Sequence, residues 1–263
     1  MKNNFINPHL FKLEQKRGFV AFLWFSIITA VLVFVVCAVY PATKDLLANN
    51  SMLAELGISM NSMADYLNSE LLQMWLVPVT LYVCCAVVST TTNELRNGSF
   101  ELIYTLNMGR KEIIRTKVAK ISLDVLIINI VGFAASTIGA LAFGKGGVNI
   151  ANLLVYLLFA VVVSLEIMLF MFAITLLGKR SVGTFSGVVV ALLMYLMCSL
   201  MNVGGDKTQW LGFLTPLATL NGSILTSGFS GLFENGVVLG VWAAISVVLY
   251  VLALNKFKND DII

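Results

Sequence analysis

Apolar residues in this chain gather into long unbroken blocks instead of alternating or recurring every third or fourth position. Six such blocks cover residues 19–40, 71–92, 121–143, 152–177, 182–203 and 236–254. A helix rises about 1.5 Å per residue, so roughly 20 apolar residues cross a bilayer core. Backbone N–H and C=O groups cannot stay unpaired in lipid, so each block is predicted to be a membrane-spanning helix. Three other stretches carry a different pattern. Residues 5–18 mix Phe5, Leu10 and Phe11 with Lys12, Lys16 and Arg17, as expected either of an interfacial elbow helix or of an ordinary basic flank. Residues 42–70 place Met52, Leu56, Met60, Met63 and Leu67 at helical spacing among acidic positions, predicting an external amphipathic helix. Residues 208–233 contain no charge but are broken by Pro216, Gly222, Gly228 and Gly231. A re-entrant helical hairpin before the last span fits both facts, because irregular backbone survives at membrane depth only when protein shields it.

Composition strengthens the membrane reading. The chain is 59% apolar and 12% charged, against roughly 45–50% and about 25% in soluble domains. The Lys and Arg residues alternate by segment: 14 of the 17 fall in the amino-terminal tail, 93–120, 178–181 and the carboxyl tail, and three in the other connections. The positive-inside rule predicts that both termini of this multi-pass protein face the cytoplasm, with the plasma membrane as the expected location. Residues 19–40 exceed a signal-peptide core in length and are predicted to be retained. No basic run with interleaved aromatics suggests nucleic acid. Cys37, Cys84, Cys85 and Cys198 lack metal spacing and read as buried small hydrophobes.

Within the spans, a few residues stand apart. Rows of small residues, Gly132 and Ser136, Gly183 and Gly187, and Gly236 and Gly240, recur at every fourth position and predict close helix packing, within the chain or between two chains. Asp124 follows Lys120 by one turn, predicting an ion pair along the helix. Glu166 lies inside the fourth span with no basic residue in that span. Intramembrane acids are functional candidates, and Glu166 is expected either to contact a cationic or amphipathic substrate or to make a protonated structural hydrogen bond. An intramembrane enzyme would need a constellation the spans lack: the sole histidine, His9, lies in the amino-terminal segment.

Residues 92 to 117 read Thr-Asn-Glu-Leu-Arg-Asn-Gly-Ser-Phe-Glu-Leu-Ile-Tyr-Thr-Leu-Asn-Met-Gly-Arg-Lys-Glu-Ile-Ile-Arg-Thr-Lys, predicted to be a cytoplasmic helix–turn–helix suited to gripping a partner. This stretch resembles the signature of the type 2 ABC exporter permeases. Glu94, Arg96, Gly98, Ser99, Glu101, Leu102, Arg110 and Lys117 sit at matching positions, while Asn107 and Gly109 replace the family's usual proline and serine. The resemblance implies an all-α integral membrane permease domain over 1–263, with elbow helix, six spans and re-entrant hairpin. It also implies that 94–111 is a coupling helix docking on a separate cassette ATPase, with Glu94, Arg96, Gly98, Glu101, Arg110, Lys111 and Lys117 in the coupling. No G-x-x-x-x-G-K-[ST] phosphate loop occurs in the chain, so ATP and Mg²⁺ would bind to that partner, and this chain would carry no cofactor and no enzymatic activity of its own. A second permease, identical or different, would complete the transporter. The expected cargo is amphipathic, a peptide foremost, with a drug or lipid as alternatives. A membrane sensor or anchor coupled to an ATPase but moving nothing is the rival reading.

Overall fold

The computed structural model describes residues 6–48, 62–98, 108–144, 147–183, 185–203, 208–220, 224–227 and 232–259. Among these residues there is no strand. Helix α1 spans Pro8–Ala48. The second hydrophobic block is built in pieces: α2 (Met63–Leu71), a π turn (Leu72–Leu76), α3 (Val77–Val88), a second π turn (Ser89–Asn93) and α4 (Glu94–Arg96). Then follow α5 (Arg110–Phe143), α6 (Ile150–Gly178) and α7 (Ser186–Val203). Two 3₁₀ turns, Gln209–Leu214 and Pro216–Leu220, and the short α8 (Ile224–Ser227) lead to α9 (Leu232–Asn259). Five helical stretches are long and apolar enough to cross a membrane, and α7 is a shorter apolar helix beside them.

Local chemistry explains the helix starts. Asn7 caps α1 through Oδ1, which accepts from the backbone N–H groups of His9 (3.1 Å) and Leu10 (3.2 Å), with Pro8 at the first helical position where its missing N–H is harmless. Ser62 and Asp65 form a capping box at α2: Ser62 Oγ accepts from the Asp65 N–H (3.2 Å), and Asp65 Oδ2 accepts from the Ser62 N–H (3.1 Å). The two π turns also have causes. Pro78 lies at the start of α3, where its ring collides with the carbonyl one turn back and widens the preceding turn. In the second, the Thr90 hydroxyl donates to the Ala86 carbonyl (2.8 Å), a side-chain bond that competes with the regular ladder.

The expected elbow at 5–18 needs correction. From Pro8 onward it forms the first turns of α1, continuous with 19–40. Gly18 does not interrupt the helix; its missing side chain makes room for Lys120, whose Nζ would lie 2.3 Å from a Cβ at that position. The expected external helix through Met52 to Met60 falls outside the described residues, whereas Met63 and Leu67 belong to α2 and are buried.

The buried core runs through α3, α5 and α6, around Trp75, Val79, Val83, Ile128, Val163 and Phe172. Helix α1 packs most closely along α5, and α6 along α9. The outer faces of α1 and α9 remain apolar: Val20, Leu23, Ile27 and Val31 form one stripe and Val237, Val241, Val248 and Leu252 another, all exposed. Stripes of this extent would be untenable in water and are the lipid-facing surface of a multi-pass membrane protein.

The small-residue rows divide. A Cβ at Gly132 would meet the Trp75 ring at 2.7 Å, and one at Gly187 the backbone of Cys84 at 2.7 Å. Ser136 is buried, its hydroxyl donating to the Phe133 carbonyl (2.8 Å). These three residues serve packing within the chain. By contrast, a Cβ at Gly183, Gly236 or Gly240 would meet nothing within 4 Å.

Candidate functional site

Lys117 is the centre of a buried cluster of ion pairs. The buried face of α5 carries Ile113, Ile114, Ile121 and Val125, and on this same face lie Lys117, Lys120 and Asp124. Charges on an apolar face require partners, because an isolated ion cannot be desolvated cheaply. The Lys117 side chain is 0% exposed and its Nζ bridges Glu14 Oε1 at 2.6 Å and Glu94 Oε2 at 2.8 Å. Arg17 approaches Glu94 Oε1 from the other side at 3.3 Å. One turn along α5, Lys120 pairs with Asp124 at 2.6 Å, and the Tyr82 hydroxyl of α3 donates to the same carboxylate.

The cluster therefore joins three segments distant in sequence: the start of α1, the end of the second hydrophobic block and the start of α5. Neighbouring contacts extend it. The Asn7 backbone N–H donates to Thr116 Oγ1 (3.0 Å). Lys111 Nζ donates to Asn255 Oδ1 (2.7 Å), and Arg110 Nη1 to the Phe257 carbonyl (3.3 Å). The beginning of α1 and the end of α9 thus meet at the same end of the bundle. Residues near 224 lie at the other end, where the Leu225 N–H donates to Asn68 Oδ1 (3.1 Å) and Asn152 Nδ2 donates to the Leu225 carbonyl (2.8 Å).

The residues expected to couple to a partner fall into distinct settings. Glu94 and Lys117 point inward, into the ion cluster. Arg96 is exposed, and Arg110 and Lys111 are half-buried against the end of α9. Gly98 takes φ +70°, a left-handed conformation that suits glycine and ends the helix there. Glu101 lies outside the described residues, as does the turn around Asn107. Glu14, Arg17 and Tyr82 complete the cluster although the spacing of the sequence did not single them out. One signal was available: Lys117 and Lys120 share a face with large apolar residues, so a carboxylate had to come from elsewhere, and Glu14 is the only acid before the first hydrophobic block. The predicted Lys120–Asp124 pair is present as expected.

Glu166 occupies a separate place. Asn129, roughly 18 Å beyond Lys117 along α5, reaches Ser164 Oγ (3.5 Å) and accepts from Trp75 Nε1 (3.0 Å). Glu166, in the same turn of α6 as Ser164, is buried, and neither of its oxygens has a partner among the described residues. No group of three metal-ligating side chains occurs among the described residues.

The fold and the charged end define a multi-pass helical membrane subunit in which the start of α1 and the end of α9 both lie against the start of α5. Residues 44–258 match the family model described as ABC-2 family transporter protein. The chain belongs to that family: it is the permease subunit of an ABC transporter, not the ATPase, and its family implies a cassette ATPase as partner. No curated protein matches the sequence.

Proposed function

We propose that this permease exports an amphipathic cargo, a peptide foremost, by alternating access, with residues 94–111 docking on the cassette ATPase. The observation that carries this reading is the Glu14–Lys117–Glu94 cluster. Glu94 opens the 94–111 segment, and Lys117 lies two turns into the helix that follows it. A push on the segment is therefore delivered to α1, α3 and α5 together. Because a buried ion triad favours one geometry strongly, it moves the helices as a unit. ATP and Mg²⁺ would be held in the partner, with this chain contributing Arg96 and Glu101 to the contact and Arg110 and Lys111 to the support behind it.

The charged end is assigned to the cytoplasm by its excess of Lys and Arg, with both termini there and six crossings, α7 being the shortest. In the same reading the 3₁₀ turns between α7 and α9 form a re-entrant element. Its support is that the Phe213 carbonyl accepts from Trp242 Nε1 (3.1 Å), well inside α9. Gly183, Gly236 and Gly240, open on their outer sides, are available to lipid or to a second permease, identical or different. Co-purification tests the proposal. The wild-type chain should retain a cassette ATPase, and an Arg96→Glu, Glu101→Arg double variant should lose it. A wild type that retains none would refute the proposed docking.

A further inference from the structure

Four carboxylates are buried among the described residues: Glu14, Glu94, Asp124 and Glu166. Three of them hold a lysine ammonium within 2.8 Å. Glu166 is just as deep, at 3% exposure, and has no partner for either oxygen among the described residues. Its own helix, Ile150–Gly178, contains no Lys or Arg. An orphaned buried carboxyl is costly, and an unpaired acid inside a membrane span marks a functional position.

The surroundings indicate what that molecule brings. Phe170, one turn along α6 from Glu166, packs edge-on against Trp242 of α9, ring centroids 5.9 Å apart. Further along α9, the Ser246 hydroxyl is also buried without a partner. The seam between α6 and α9 is thus apolar and aromatic, with one acid and one hydroxyl flanking the Phe170–Trp242 contact. An ionised carboxylate only accepts hydrogen bonds, and its strongest donors are ammonium and guanidinium groups.

We infer that Glu166 is the acceptor for a cationic group of the transported molecule, so that the cargo class is a cationic amphipath that engages the α6–α9 seam. This rests on the permease reading above and narrows it, since an anionic or uncharged amphipath would leave the charge of the acid uncompensated. It also separates the roles of the buried acids: Glu14, Glu94 and Asp124 bind the protein's own lysines, and Glu166 binds the cargo's amine.

The test uses the permease–ATPase complex in lipid nanodiscs and two probes, an amphipathic helical peptide with lysines on its polar face and the same peptide with glutamines there. The lysine peptide should stimulate ATP hydrolysis at a concentration at least about tenfold lower than the glutamine peptide, the size expected for one charge-assisted hydrogen bond. In Glu166→Gln that difference should vanish, and Glu166→Asp should restore part of it. Equal responses in the wild type, or a difference that survives in Glu166→Gln, would overturn the inference. A measurement on the unaltered protein stands beside the variants: modification of Glu166 by dicyclohexylcarbodiimide, read by mass spectrometry. The lysine peptide should slow it at least about tenfold and the glutamine peptide should not; identical rates with and without the lysine peptide would refute it. Absence of an ATPase from the wild-type preparation would count against the permease reading instead, so the two failures are distinguishable.

Discussion

Glu14 and Glu166 are buried to nearly the same depth, yet their surroundings differ completely. Glu14 sits 2.6 Å from a fully buried ammonium that also holds Glu94, whereas Glu166, in a helix without Lys or Arg, has neither oxygen bonded among the described residues. The first arrangement fixes helices against one another; the second leaves a charge-accepting group unsatisfied within the bundle. Burial alone therefore does not distinguish an architectural acid from a binding one. The position of the nearest cation does.

The largest effect should come from breaking the paired region. Lys117→Met leaves Glu14 buried without its ammonium and Glu94 with only the partly exposed Arg17, and should lower stability by about 3–5 kcal/mol, read as an earlier melting transition in detergent. Replacing Glu14, Glu94 and Lys117 together with apolar residues should recover most of that loss, because the buried charges then disappear as a set. Glu166→Gln sharpens the comparison from the other side. With no ion pair to lose, it should melt within about 0.5 kcal/mol of the wild type, and a loss as large as that of Lys117→Met would place Glu166 among the architectural acids.

Part of this contrast could be read from the chain before its structure. The Lys120–Asp124 pair lies one helical turn apart and Glu166 is conspicuous in a span without basic residues, so both were visible in one dimension. The Lys117 triad was not, because its partners lie 103 and 23 residues away and no periodicity links them. The long apolar blocks predicted the helices well, since their length is imposed by the membrane. The amino-terminal segment departs from the predicted elbow for a physical reason. Lys12, Lys16 and Arg17 resemble an interfacial flank, but Glu14 and Gly18 turn toward Lys117 and Lys120, so the helix continues straight along α5. The π turns of the second block had only indirect signals, Pro78 and the run of threonines.

Smaller effects divide the glycine positions in the same way. Gly132→Ala pushes a methyl group into the Trp75 ring and should cost about 1–3 kcal/mol, whereas Gly240→Ala meets open space and should leave the melting transition unchanged or slightly raised, as alanine favours helix over glycine. Gly98→Ala forces a side chain into the left-handed region, for about 1 kcal/mol. Its effect should appear first as weaker retention of the ATPase, since it redirects the start of the 94–111 segment. Arg17→Gln removes a partly exposed pair with Glu94 and should change stability by no more than about 1 kcal/mol.

The end of the bundle holding the ion triad is proposed to be the end that meets the ATPase. Photo-crosslinking from benzoylphenylalanine placed at Arg96, compared with the same probe at Trp210 beyond α7, tests it most directly, since both positions are exposed. A covalent adduct with the cassette ATPase is expected from position 96 and none from position 210. An ATPase adduct from position 210, or none from position 96 in a complex that still co-purifies, would contradict it.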